Sequence, residues 1–130
     1  WSREFLGEDR RYIADRVNAQ LWSTHGRQFL AYVDGHPILP GLILSPRFDE
    51  YSREVLRGSR LEYIVADMRF SEQKPAYDYY IAENEKLIYG TLNPLPRAAL
   101  EKYDNVPGAQ RIFDSGGIVV YDVRRLAHAR

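Results

Sequence analysis

An α/β fold is what this sequence predicts: a mixed sheet with a parallel central part, helices packed on it, and a β-hairpin at the C-terminal end. Three observations carry that expectation. The stretch Leu61 to Arg69 contains Tyr63-Ile64-Val65-Ala66 in unbroken order, the pattern of a strand buried on both faces, and closes on Asp67. A shorter echo upstream, Tyr12-Ile13-Ala14-Asp15-Arg16, also ends in Ala-Asp followed by a basic residue, and helix signals lie between the two runs. Two such strands with a helical segment between them suggest parallel strands joined by crossovers. Finally, Arg111–Asp114 and Ile118–Val123 flank Ser115-Gly116-Gly117, two β-rich runs about a three-residue glycine loop.

Taken in order, residues Trp1 to Asp9 read as a lead-in loop ending in Gly7-Glu8-Asp9. Arg10 to Ala14 is the first strand. Asp15 is placed to cap a helix from Arg16 to about His25, with Val17 and Leu21 on one face and Gly26 as the stop. Gln28 to Val33 has the composition of a second strand, and Asp34-Gly35 is the pair favoured in tight hairpin turns. His36 to Leu44 then carries the chain back through two prolines. A rival reading extends the helix through Phe29 and Tyr32; Gly26 and the Asp-Gly pair favour the strand.

Ser45-Pro46 reads as the opening of a second helix running to about Leu56, with Phe48, Tyr51 and Val55 as its apolar stripe and Gly58 as its end. The organising strand, Leu61 to Ala66, follows. Ser71 to Pro75 is a loop, Tyr79 to Glu85 a short helix, and Leu87 to Leu92 a strand weakened by Gly90. Asn93-Pro94-Leu95-Pro96 breaks regular structure, and Arg97 to Tyr103 is a short helix.

At 130 residues, 45% hydrophobic and 28% charged, the chain suits one domain, residues 1–130, with a real core. Lys and Arg number 18 against 18 Asp and Glu, so the basic excess of a dedicated nucleic-acid surface is missing and no nucleic-acid partner is expected. Ten tyrosines suit half-buried strand positions and interfaces. The absence of cysteine excludes disulfides and thiolate zinc sites and leaves the redox compartment open. No apolar run approaches the roughly 20 residues that span a bilayer. The chain begins at Trp1 and its one methionine is Met68, so a piece of a longer or processed protein is expected.

Asp15 and Asp67 are the sharpest candidate pair. In an open parallel sheet ligands bind beyond the carboxyl ends of the strands, where both would sit. If the strands are neighbours, the two carboxylates could hold a metal or act as acid and base. Alternatively, Asp15 caps its helix and Asp67 bonds loop amides. Arg16 and Arg69 follow closely enough to pair with them and compete with a metal, so no metal ligand, catalytic residue or cofactor is assigned. Asp15, Asp67 and Arg69 are kept as ligand-binding candidates.

Other groups carry less. His25, His36 and His128 lack the spacing of a helical metal pair, and His128 lies in a tail expected to fray. Ser23, Ser45, Ser52, Ser59, Ser71 and Ser115 lack a nucleophile-elbow context, and Asp114-Ser115-Gly116-Gly117 is better explained as turn chemistry. Gly116-Gly117 lies between hairpin strands, not before a helix, so it is no phosphate loop. Tyr77, Tyr79 and Tyr80 with Trp22 form a conceivable sugar-stacking platform, although such spacings more often mark core or interface.

The ordered features, Arg10 to Asp15, Tyr63 to Arg69, Tyr79-Tyr80-x-x-Glu83, Leu100-Glu101-Lys102-Tyr103 and above all Arg111-Ile112-Phe113-Asp114-Ser115-Gly116-Gly117-Ile118-Val119-Val120-Tyr121-Asp122-Val123, form a recognisable pattern. The chain resembles the C-terminal extracytoplasmic domain of bacterial polytopic membrane proteins, including membrane glycosyltransferases that use lipid-linked sugars. The resemblance covers nearly the whole chain as a loose pattern. It implies a non-catalytic accessory domain on the extracytoplasmic face of the cell membrane, attached to the transmembrane portion of the same polypeptide. It also implies that acidic catalytic residues lie in the membrane-embedded part, and that a glycan or lipid-linked sugar is the partner class. The rival expectation is a free-standing hydrolase or metal-dependent phosphotransfer enzyme using Asp15 and Asp67. A third is a soluble interaction module with an exposed apolar patch.

Overall fold

The computed structural model of the chain describes residues 1–30, 41–73, 79–81, 85 and 94–128. Several expectations fall outside them: the end of the second strand, the Asp34-Gly35 turn, His36, Lys74-Pro75, Tyr77, Ala82 to Asn84, the strand at Leu87 to Leu92, and Asn93.

Among the described residues, five strands form one mixed sheet in the order β2-β1-β3-β5-β4. They are β1 (Arg11–Ile13), β2 (Phe29–Leu30), β3 (Tyr63–Asp67), β4 (Gln110–Asp114) and β5 (Ile118–Asp122). As the two Ala-Asp runs predict, β1 and β3 are parallel neighbours, with Tyr12 opposite Tyr63 and Ile13 opposite Ile64. β2 pairs parallel to β1, which favours the strand over a continued helix at Phe29. β5 runs antiparallel to β3 and joins β4 in the expected hairpin, whose register shifts between Arg111 and Phe113. Gly116 supplies the positive φ that the hairpin loop needs. Asp114 accepts from the Gly116 amide, and the Ser115 hydroxyl accepts from the Ile118 amide, so the turn chemistry holds.

Because strand side chains alternate, the sheet divides its residues between two layers. Tyr12, Ala14, Tyr63, Val65 and Val120 face one side, packed with Ala19 of helix α2 (Arg16–Thr24) and with Leu6 of α1 (Ser2–Leu6). Ile13, Ile64, Ala66, Val119 and Tyr121 face the other, in the larger cluster. Over that side lie α3 (Gly41–Leu44), α4 (Glu50–Ser59), α5 (Arg97–Glu101) and α6 (Arg124–His128), through Leu42, Leu44, Leu56, Leu100 and Leu126. Every residue of β3 is buried, as its unbroken apolar run predicts.

Several details depart from the sequence reading. The lead-in is helical, since Ser2 to Leu6 form α1. Helix α4 does not open at Ser45-Pro46 but at a capping box in which Asp49 and Ser52 satisfy each other's amides. It runs past Gly58 to Ser59 and closes on Arg60 in the left-handed conformation. Of its predicted stripe, Phe48 and Val55 pack against the core half-buried, but Tyr51 is exposed and Leu56 is the fully buried residue. On α2, Val17 and Leu21 face outward, because Ala19 and Asn18 take the buried face. Tyr79 to Ile81 are not helical, while His128, expected in a frayed tail, closes α6.

Candidate functional site

The crossover from β1 to β2 passes over one face through α2, and the return to β3 passes over the other through α4. The strand order therefore reverses between β1 and β3. In open α/β sheets the crevice beyond the carboxyl ends at such a reversal is where ligands bind, because the two connections leave in opposite directions there. Asp15 and Asp67 stand at those two ends, so the sequence pairing was correct in placement.

Asn18 joins them. Asp15 is the N-cap of α2 and accepts from the Asn18 amide at 3.2 Å. One turn into the helix, the Asn18 side-chain NH2 reaches both carboxylates, donating to Asp15 Oδ1 at 2.7 Å and to Asp67 Oδ2 at 3.1 Å. Arg69 completes the set: its Nε donates to Asp67 Oδ1 at 2.9 Å, its Nη2 to Oδ2 at 2.7 Å, and its backbone amide to Oδ1 at 3.1 Å. The 3-10 turn Met68–Ser71 makes this fork possible by folding Arg69 back over the strand end. Asp67 Oδ1 and Oδ2 each accept two hydrogen bonds, so the roughly four acceptor sites of an ionised carboxylate are all used.

The two carboxyls are driven apart in acidity. Burial pushes Asp15 up against the lowering Asn18 hydrogen bonds, and the neighbouring Asp67 charge adds to the rise. Burial acts on Asp67 too, but the Arg69 and Asn18 hydrogen bonds outweigh it and hold that carboxyl below its ordinary range. Asp15 and Asp67 are 2% and 3% exposed, whereas the Arg69 side chain is 58% exposed. The guanidinium is thus the part of the network that solvent meets.

Arg16, expected to pair with Asp15, does not. Its side chain points outward, and its backbone amide bonds the Tyr80 carbonyl instead. Of the stacking platform, Tyr77 lies outside the described residues, and Tyr80 and Trp22 are kept apart: Tyr80 is buried against Phe70 in the larger core, while Trp22 lies tilted against Tyr12 across the sheet. His25 is the C-cap of α2. Among the described residues, no group of three or more His, Cys, Asp or Glu is placed to hold a metal ion.

Asn18 was missed by the sequence reading. Its signal is its place three residues after the cap, the position whose side chain turns back toward the capping residue. Asn18 also lines a cleft of about 380 Å3 between α1, α2 and the β4–β5 hairpin, walled by Trp1, Leu21, Trp22 and Phe113 over a floor of Ile118 and Val120. Among the described residues no helix is long and apolar enough to cross a membrane. Comparison with protein-family models, with curated proteins and with solved structures finds no match to this chain.

Proposed function

We propose that this chain is a non-catalytic binding domain, an extracytoplasmic accessory part of a polytopic membrane protein of the glycosyltransferase kind, which helps the membrane-embedded portion hold a substrate or a partner. The observation that carries the binding half is the saturation of Asp67. All of its acceptor positions are taken by Arg69 and Asn18, so a metal or a substrate proton would have to displace the chain's own bonds. Asp15 is buried behind Asn18 and cannot meet a reacting group without the helix cap opening. The exposed Arg69 guanidinium and the aromatic cleft beside Asn18 are binding features rather than proton-transfer ones. The membrane half rests on the resemblance in the closing Arg111 to Val123 pattern.

The rival hydrolase or phosphotransfer reading requires both aspartates to be released. Calorimetric titration of the chain with Mg²⁺, Mn²⁺ and Ca²⁺ at millimolar concentration separates the two, because such ions need several oxygen ligands. Flat titrations are expected. Saturable binding lost in both Asp15→Asn and Asp67→Asn would replace the binding reading with the enzyme. The membrane half is tested by protease added to intact spheroplasts expressing the parent protein. Digestion of this domain from outside is expected, and protection until lysis would contradict the placement.

A further inference from the structure

We propose that the cleft between α1, α2 and the β4–β5 hairpin is a binding site for a neutral, polyhydroxylated ring, such as a monosaccharide or the terminal residue of a glycan. The proposal deepens the binding reading above and rests on it.

Asn18 sets the polar end of the cleft. Its side-chain NH2 is committed to two carboxylates, which as ionised groups only accept hydrogen bonds. The amide therefore cannot flip without setting its carbonyl oxygen against both. Asn18 is 6% exposed, it lines the cleft, and its Oδ1 accepts no hydrogen bond from any described residue. No described residue donates to that oxygen, so among the described groups it stays open to a ligand that brings a hydroxyl or N–H donor.

The walls narrow the class. Trp1, Trp22 and Phe113 present aromatic surface, which packs against the apolar C–H face of a ring. Trp1 remains 43% exposed even with its contacts to Phe5 and Phe113, so ring surface is left for a ligand. The charged rim residues Arg3 and Glu4 are adjacent and opposite in sign, so this pair favours neither an anion nor a cation. His25 and Ser115 add polar atoms at the opening. Its volume, about 380 Å3, lies toward the small end of the roughly 300–1,000 Å3 range of small-molecule sites, which suits one or two rings and not an extended chain.

The wall formed by α1 is set firmly. A Cβ added at Gly26 would lie 2.5 Å from Ser2 Oγ and 2.8 Å from the Trp22 carbonyl, so α1 seats on the end of α2 only because residue 26 is glycine. Gly26 shapes the cleft; it does not supply a left-handed stop, since the positive φ falls on Arg27.

The test is NMR titration of the ¹⁵N-labelled chain with glucose, galactose, mannose and N-acetylglucosamine, with benzyl alcohol as a ring that lacks the hydroxyl set. The chain has two tryptophans, so both indole N–H signals can be followed singly. The expected result is saturable millimolar binding of at least one sugar, with shifts at Asn18, Trp22 and the Trp1 indole. Trp1→Ala, at an exposed position, should weaken it about tenfold or more, and Asn18→Ala as much. Because Asn18→Ala also loosens the α2 cap, Trp1→Ala decides if that variant fails to fold. Tyr51→Ala, an exposed aromatic on α4 across the sheet, should leave affinity unchanged. No cleft response to any sugar, or benzyl alcohol binding while the sugars do not, overturns the proposal. If the metal titrations are also flat, the sugar falls and the binding reading stands.

Discussion

On the face of the sheet carrying Ile13, Ile64, Val119 and Tyr121, helices α3 to α6 close over the strands, and eighteen of the described side chains are buried in one cluster. On the face carrying Tyr12, Tyr63, Val65 and Val120, the described helices are α1 and α2, six described residues are buried in the cluster, and a cleft lies between those helices and the β4–β5 hairpin. The heavily covered face holds the fold. The lightly covered face leaves Trp1, Phe5, Val17 and Leu21 at the surface and keeps the Asn18 acceptor within reach of solvent. The polar network at the ends of β1 and β3 is the link, since Asp15 and Asn18 begin the one long helix of the open side while Asp67 ends the central strand.

The largest effect should come from the covered face. Ile64 is 1% exposed in the central strand, and replacing it with alanine should cost about 2–5 kcal/mol through lost burial and a residual cavity. Denaturant unfolding measures it, and a midpoint unchanged by Ile64→Ala would mean that this face is not the core. Asp67→Asn should come next, at about 1.5–3 kcal/mol, because it removes the charge that the Arg69 fork and Asn18 hold at a nearly buried position. A loss no larger than that of an exposed substitution would show the network to be loose.

The covered face also contains a cation. Lys102, 8% exposed, donates to the Ser45 carbonyl at 2.5 Å and lies over the Tyr103 ring, and burial holds its amine down at about 7. The unfolded chain, with the amine near 10.5, binds more protons than the folded one between those two values. Stability is therefore lowered in full below about 7 and recovers as pH rises, by up to about 1.4 kcal/mol per unit. Unfolding measured between neutral pH and pH 9 should show that slope, and Lys102→Met should flatten it. An equal slope in the variant would assign the effect elsewhere.

The same contrast explains what the sequence disclosed. The covered face rests on continuous apolar runs, so β3, β5 and the β4–β5 hairpin were legible from Tyr63 to Ala66 and Ile118 to Val123, and the Ala-Asp echo placed β1 beside β3. Asp15 was legible as a cap because capping is local. Helix α4 was misplaced because Ser45-Pro46 imitates an opening, while the working cap, Asp49 with Ser52, sits four residues on. The open side was mostly illegible. Helix α1 is five residues long, and its position depends on Ser2 meeting Gly26, which are far apart in the chain. Arg69, two residues after Asp67, pairs with it because a 3-10 turn folds it back, whereas Arg16, directly after Asp15, enters a helix and is carried outward.

The chain's own groups occupy the carboxylates at the ends of β1 and β3, and a ¹³C NMR titration of the aspartate carboxyls reads that occupancy at each group. Asp15 should titrate above the ordinary carboxylate range and Asp67 below it, with Arg69→Gln raising Asp67 toward the ordinary value. Both carboxyls titrating together at the ordinary value, unmoved by Arg69→Gln, would mean that they stand free in solvent, and would contradict the account.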